Sequence, residues 1–496
     1  MTNVASTLRR SAALAPDSIA IRYAARSMTY AELDDATRRF AGALEGLGLR
    51  RGDRVAVFAK NAPEYVVAMY GAFAAGMIVV PVNAKLSEAE VAVILADSGA
   101  ALLVHDRSSI ASDGIPQLRI GDDFHALLAS ATALPQPVEV AADDVAWLFY
   151  TSGTTGMPKG AELTHRNLLA MTWLELLDVC DYRSDDRVLH VAPLSHGSGL
   201  YLLGSIARGA ENRIYAERSF DPADVLRLIE RERITVLAFV APTMIVMLLD
   251  ADVHADTSSL RRVVYGGAPI HLEHARRMVE RFGDVFVQIY GQGESPMTIT
   301  YLDLAGGPAD DETLQSAGFA HPGIDVAVFD EDDRPVPPGE PGEICVRGDT
   351  VMRGYRNNPD ATAAALRNGW LHTGDIGRLD EHGRLTLLDR SKDVVISGGT
   401  NIYPREVEDA ILAHPGVEDV VVFGEPDPLW GESVTAVVVR AVDHEVTETE
   451  VIDWCRTQIA SFKKPKRVVF LEALPVNAYG KVLRRDLKLQ LAQTTV

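Results

Sequence analysis

The chain has 496 residues and a formal net charge of −21, too long for one ordinary core and too acidic for nucleic acid or an anionic membrane to be its main partner. Cys180, Cys345 and Cys455 are scattered and odd in number, which fits a reducing compartment and speaks against a disulfide framework or a zinc site. No adequate apolar core follows Arg9 and Arg10, and the longest apolar stretch, 72–82, is short and interrupted by Gly76 and Pro81, so the reading is a cytoplasmic protein without signal peptide or membrane span.

Taken in order, Thr29-Tyr30-Ala31-Glu32-Leu33 opens a helical pattern leading to Gly52-Asp53 and a strand over 54–58. Pro63-Glu64 starts a helix over 65–75, a strand follows at 78–81, Ser87-Glu88-Ala89-Glu90 starts another helix, and 101–104 is a short buried strand. This rhythm predicts a mostly parallel sheet covered on both faces by helices. The apolar run 145–150 then leads into Thr151-Ser152-Gly153-Thr154-Thr155-Gly156-Met157-Pro158-Lys159-Gly160. Glycines let successive backbone N–H groups face one point, and the hydroxyls and Lys159 add donors, so the stretch reads as an anion-binding loop as well as a flexible linker. It lacks the Gly-Lys-Ser/Thr ending of a Walker A loop.

Further strands, over 187–191, 234–240, 260–264 and 285–290, end at Pro193-Leu194-Ser195-His196-Gly197-Ser198-Gly199, at Ala241-Pro242, at Gly266-Gly267-Ala268-Pro269 and at Gly291-Gln292-Gly293-Glu294. An apolar helix over 244–249 follows the second. Turns at the carboxyl ends of strands are where open α/β sheets bind ligands. After residue 310 the pattern turns to hairpins, with strands over 325–329 and 342–347. From about 390 a compact α+β tail has helices over 404–412 and 448–459 and strands over 420–423 and 434–439. The boundary is placed at 389–392, giving a large N-terminal unit over 1–390, β-rich over about 310–390, and a C-terminal unit over 391–496.

Within this frame Tyr290 offers an aromatic face and Glu294, four residues on, a ligand for a hard cation, or simply a strand end with a solvated acid. Asp375, in Gly369-Trp370-Leu371-His372-Thr373-Gly374-Asp375, sits in a polar cluster between strands and can accept from sugar hydroxyls. Lys481, before Arg484 and Arg485, reads as a basic tail when taken alone.

The loop at Thr151, the turn at Gly266, the pentapeptide ending at Glu294, the cluster ending at Asp375, Asp389-Arg390-Ser391-Lys392-Asp393 and Gly480-Lys481 occur in an order and at separations that resemble the adenylate-forming superfamily of acyl-CoA synthetases, standalone adenylation domains and beetle luciferases. The resemblance covers nearly the whole chain and is most specific over 150–160 and 369–406. It implies a large N-terminal α/β domain with a small β subdomain and a mobile C-terminal domain. Thr151, Ser152, Gly153, Thr154, Thr155, Gly156 and Lys159 would hold the β- and γ-phosphates of ATP; Gly267, Ala268, Pro269 and Tyr290 would enclose the adenine; Asp375 and Arg390 would bind the ribose. Glu294 with Thr151 would ligate Mg²⁺. Lys481 would bridge the substrate carboxylate and the α-phosphate, Lys392 matches the hinge, and Gly399 lies beside the pantetheine tunnel. The implied reaction is activation of a carboxylic acid as acyl-AMP and transfer of the acyl group to coenzyme A, with Lys481, Glu294 and Lys159 as the catalytic set.

Two positions depart from the family pattern: Gly293 replaces a threonine, which would leave extra room, and Ile396 replaces a lysine. The loop after Leu194 offers Ser195, His196 and Gly197 but no acid to pair with a substrate ammonium, which argues for a fatty acid or an aryl or alicyclic acid. Val240, Ala241, Gly291 and Met297 would line a roomy apolar pocket, with His196 either its gate or a helix-start residue with a local hydrogen bond. No carrier domain follows, which favours CoA as acceptor. A standalone adenylating enzyme with another acceptor and a non-catalytic nucleotide-binding regulator are the alternatives. The acid itself stays open, as does assembly as a homodimer.

Overall fold

Strand-forming apolar runs and capped helix starts build two mostly parallel sheets side by side in the computed structural model, which describes residues 2–494 except 111–113, 152–157, 218, 306–309, 399, 443, 476–481 and 483. The first sheet has six strands in the order Gln117–Arg119, Leu102–His105, Arg54–Phe58, Ile78–Pro81, Val145–Thr151, Lys159–Thr164, parallel except for the last pair. The second has nine. Its parallel centre runs Phe286–Tyr290, Arg262–Gly266, Val236–Val240, Arg187–His190, Glu211–Ile214, Ile19–Tyr23, and antiparallel strands close both edges. Parallel strands need crossovers, and helices supply them on the sheet faces.

Between the sheets lies the helix Pro63–Ala74, every residue of which is buried. Its sequence is apolar all round, as a helix without a solvent face must be. The helix starts read from sequence carry their caps: Thr29 and Ser87 each accept from the N–H three residues on, and Glu32 and Glu90 return the bond to the cap backbone.

A four-stranded antiparallel sheet follows, Asp325–Phe329, Gly342–Arg347, Leu371–Leu379, Leu385–Arg390. The cluster expected between strands is corrected here: 371–375 is itself the start of the strand Leu371–Leu379. The remaining residues form a five-stranded sheet with the helices Pro404–Leu412, Glu448–Gln458 and Arg484–Thr494. This part docks on the nine-stranded sheet through His271 Nδ1 and Asp409 Oδ1, 2.6 Å apart, and through Arg405, whose guanidinium donates to the Ile270 carbonyl at 3.2 Å. Among the described residues no helix is long and apolar enough to cross a membrane.

Candidate active site

The glycine- and hydroxyl-rich stretch joins two antiparallel strands, with Thr151 facing Lys159 across the ladder. Of the residues read as phosphate ligands, Ser152, Gly153, Thr154, Thr155 and Gly156 lie outside the described residues, as do Gly399 and Lys481. Thr151 and Lys159 frame the loop. The Thr151 hydroxyl donates to Glu294 Oε1 at 3.2 Å, and the Tyr355 hydroxyl donates to the same oxygen at 2.7 Å. Lys159 Nζ stands 5.2 Å from the centroid of the Tyr355 ring, a cation–π contact. Burial and the Glu294 carboxylate raise the Tyr355 phenol well above its ordinary value, so it stays a donor. A carboxylate and a threonine hydroxyl are hard oxygen donors of the kind Mg²⁺ takes, so the pair fits the ion.

A second cluster forms at the other end of the same turn. Asp375 faces Arg390 across the ladder and forms an ion pair with it, Oδ1 to Nε 3.0 Å. Asp375 Oδ2 also accepts from the Tyr290 hydroxyl at 2.8 Å and from Gln292 Nε2 at 2.6 Å, while Gln292 reaches the Thr373 carbonyl at 2.9 Å. Glu343 supports this corner from behind, accepting from the Gly374 N–H at 3.0 Å and from Arg367 and His372 at 3.1 and 2.8 Å. Glu343, Cys345 and His372 lie close enough together to hold an ion, but these three bonds already occupy the Glu343 carboxylate. Gly267, Ala268 and Pro269 are exposed at the end of the neighbouring strand, as an adenine-binding edge requires, and Gly267 has φ +84°.

Two glycines make the turn between the clusters possible. A Cβ on Gly291 would lie 2.6 Å from the Met297 nitrogen, and one on Gly293 would lie 2.6 Å from both Phe149 Cδ1 and Thr151 Cγ2. The extra room expected at Gly293 is therefore absent: Phe149 and the Thr151 methyl fill it.

The Phe149 ring also meets His196 edge-on at 5.5 Å. His196 is the N-cap residue of the Gly197–Arg208 helix, its Nδ1 3.0 Å from Ser195 Oγ, and burial lowers it to about 4, so it is neutral. Ala241 caps the helix Pro242–Asp250. Met297 is buried with φ +61°. Val240 is placed elsewhere than in the pocket: it is fully buried with Leu189 and Tyr265 in a separate core. Its neighbour Phe239, at φ +54°, closes on the site instead. A Cβ on Gly197 would lie 2.6 Å from its ring and one on Gly267 3.4 Å, so this ring takes up the space read as roomy.

Lys392 is exposed in the turn Ser391–Asp393 and Ile396 is also exposed. Arg484 is no loose tail. It binds Glu408 at 2.7 Å, Asp389 at 3.3 Å and Asp393 at 3.5 Å, fixing the segment after Lys481 against the proposed hinge. Tyr355, Gln292, Phe239 and Arg484 were not singled out from sequence. Only the Gly354-Tyr355 pair, an aromatic behind a glycine in a polar stretch, carries a local signal.

A sequence profile for "AMP-binding enzyme" matches residues 8–356 and one for "AMP-binding enzyme C-terminal domain" matches residues 406–481. A feruloyl-CoA synthase of an Amycolatopsis species is 40% identical, covering 97% of each chain. A long-chain-fatty-acid–CoA ligase of Mycobacterium tuberculosis is 36% identical, covering 94% of each. Among solved structures, ATP-bound MatB from Rhodopseudomonas palustris matches with a TM-score of 0.91 at 32% identity over 99% of each chain. The chain belongs to the AMP-binding enzyme family, within the adenylate-forming superfamily of acyl-CoA synthetases.

Proposed function

We propose that the acid activated at this site is an apolar carboxylic acid without an amine, and an aryl acid ahead of a long-chain fatty acid. The chain is an AMP-forming carboxylate–CoA ligase that uses ATP and CoA. The observation that carries the reading is the turn 290–294, which ends in the Tyr290–Asp375–Arg390 cluster on one side and the Glu294–Thr151–Tyr355–Lys159 cluster on the other. One suits a ribose, the other a polyphosphate.

The acid's carboxylate attacks the α-phosphate of ATP and pyrophosphate leaves; the CoA thiol then attacks the acyl carbonyl and AMP leaves with the electron pair of the broken anhydride bond. Two anions meet in the first step. Bound Mg²⁺ supplies charge neutralisation on the phosphates. Lys159 and the loop would orient the leaving pyrophosphate, Glu294 and Thr151 would hold the ion, Asp375 and Arg390 would fix the ribose, and Lys481 would balance the charge growing on the α-phosphate.

The preference for an aryl acid rests on Phe239, Tyr201 and Phe149, flat side chains where a long alkyl chain needs an open channel. For the acceptor, a nucleotide needs a stacking face and cations. Trp430, 47% exposed, packs on Gly398 next to Gly399 and has Lys466 Nζ 5.2 Å from its ring centroid. Three free, buried cysteines support a reducing, cytoplasmic setting. The test is a panel of C2 to C18 acids, benzoates and phenylpropanoid acids assayed for AMP release with CoA present. Turnover of none sinks the ligase reading, and turnover of fatty acids alone sinks the aryl preference.

A further inference from the structure

A cavity of about 150 Å³ lies where the edge strand Arg26–Thr29 meets the helices Tyr30–Gly46, Pro63–Ala74 and Asp122–Ser130. None of the residues that line it belongs to the nucleotide clusters or to the proposed acid pocket. Met28, Ala36, Val67, Phe124 and Leu128 give it an apolar lining. Phe124 is fully buried and stacked on Phe40 at 5.2 Å and 23°, so this part of the wall is held in place. Engineered apolar cavities of about this size, ~150 Å³, stay dry and bind benzene.

The polar part of the lining is Arg26, Glu64 and His125. Glu64, the second residue of its helix, is buried, with 8% of its side chain exposed. Its Oε1 accepts from Arg26 Nη1 at 2.8 Å and from His125 Nε2 at 3.2 Å, while Oε2 receives a longer bond from Arg26 Nη2, 3.4 Å. Burial works to raise the Glu64 carboxyl, but the bonds and charge of Arg26, with His125, prevail and lower it, so an ionised oxygen is left with acceptor capacity. Arg26 spends two of its N–H groups on Glu64 and lies over the Tyr23 ring at 5.3 Å. No other acceptor among the described residues is bonded to it, and its side chain is 53% exposed. The lining therefore pairs one ring-sized apolar space with a donor and an acceptor side by side, whose charges cancel.

We propose that this cavity is a binding site for a neutral single-ring molecule bearing a carboxamide, apart from the proposed nucleotide and acid sites. The ring fills the apolar space, the amide carbonyl accepts from Arg26, and the amide N–H donates to Glu64 Oε2. A carboxylate on the same ring has no hydrogen for Glu64 and sets a like charge beside it, in a chain of net charge −21. An ammonium has no lone pair for Arg26 and faces its charge.

The test is a ligand-observed NMR titration of the full chain with benzamide, benzoate and benzylamine, which share the ring and differ in the head. The quantity read is the binding that Ala36→Leu removes, so that benzoate held in the acid pocket is not counted. Benzamide is expected to bind in the millimolar range, as suits a molecule of its size, and the two charged heads at least about tenfold more weakly. Ala36→Leu, which fills the cavity, is expected to abolish this binding and to leave CoA-dependent AMP release unchanged. Arg26→Lys, at a half-exposed position whose substitution leaves the core intact, keeps a charge beside Glu64 but loses the planar fork, and is expected to weaken benzamide about tenfold. Benzamide that binds Ala36→Leu or Arg26→Lys as tightly as wild type is held elsewhere and overturns the site. Equal affinity for the three heads, or no benzamide binding at all, overturns it as well.

Discussion

Tyr355→Phe isolates a single hydroxyl in the proposed metal site. Glu294 Oε1 accepts from Tyr355 at 2.7 Å and from Thr151 at 3.2 Å, so the shorter bond does most to hold the carboxylate. Phenylalanine keeps the ring beneath Lys159, and the cation–π contact at 5.2 Å survives. What is lost is one hydrogen bond to a charged acceptor, about 1.5–3 kcal/mol. At 1.36 kcal/mol per tenfold this is about 10- to 150-fold in kcat/KM for ATP. Carboxylate-dependent pyrophosphate release, followed through a magnesium titration, is expected to show a raised half-saturating magnesium concentration. Calorimetric binding of ATP with magnesium in the absence of acid is expected to weaken in parallel. A change below about threefold, or a loss that is the same at every magnesium concentration, refutes the positioning role.

The other expectations concern separate parts of the machinery. Lys481→Ala should lose adenylation by about 10²- to 10³-fold yet still form thioester from supplied acyl-adenylate; equal loss of both half-reactions refutes its role. Lys159→Ala should cost less than Lys481→Ala in the same pyrophosphate assay, and the reverse order would reassign the decisive cation. Gly293→Thr, which restores the family's usual residue, should lower the thermal midpoint and the adenylation rate, because its Cβ would meet Phe149 and Thr151 at 2.6 Å; a faster enzyme would show that the ring yields. At His271, burial works to lower the imidazole, but the hydrogen bond and charge of Asp409 prevail and raise it. That contact therefore stabilises docking below the unfolded value and fades as pH rises through the folded one. His271→Gln should accelerate amide exchange in the helix Pro404–Leu412 at about pH 6 and match wild type near pH 9. A difference that persists at the higher pH removes the titration argument.

Where local chemistry dictates an element, the sequence reading and the structure coincide. Arg54–Phe58, Ile78–Pro81 and Pro404–Leu412 have the expected bounds, since proline, capping residues and dense apolar runs punctuate them. Glu211–Ile214 shows why others were missed. Its Glu-Asn-Arg-Ile sequence does not read as a central strand, yet Asn212 is satisfied by His190 and Ser205, and Arg213 by Glu232. Those partners lie on other strands and helices, and the pairing exists only once the sheet forms. Phe239 escaped for a related reason. The sequence reading names Val240 as a pocket residue, but the chain is left-handed at Phe239 and the register shifts beside it, and it is the Phe239 ring that closes on Gly197 and Gly267. Tyr355 and Arg484 act through contacts across 61 and 76 residues, which no local pattern encodes. Candidate nucleotide residues could be named from sequence because loops that bind phosphate need special backbone chemistry in one short stretch, whereas an acid pocket would be assembled from ordinary apolar side chains of several strands and helices.

The replacement at Gly293 links these two levels. Tyr290 and Glu294 sit at opposite ends of a five-residue turn whose two glycines are pressed against the Met297 backbone and against Phe149 and Thr151. A turn confined on both sides holds the proposed ribose and metal clusters at one spacing, which is what in-line attack on a phosphate bound between them would demand. Phe149 is the filling side chain, and its ring also meets His196, the N-cap residue of the helix Gly197–Arg208. The strand that leads into the proposed phosphate loop thus touches the proposed acid site through one ring.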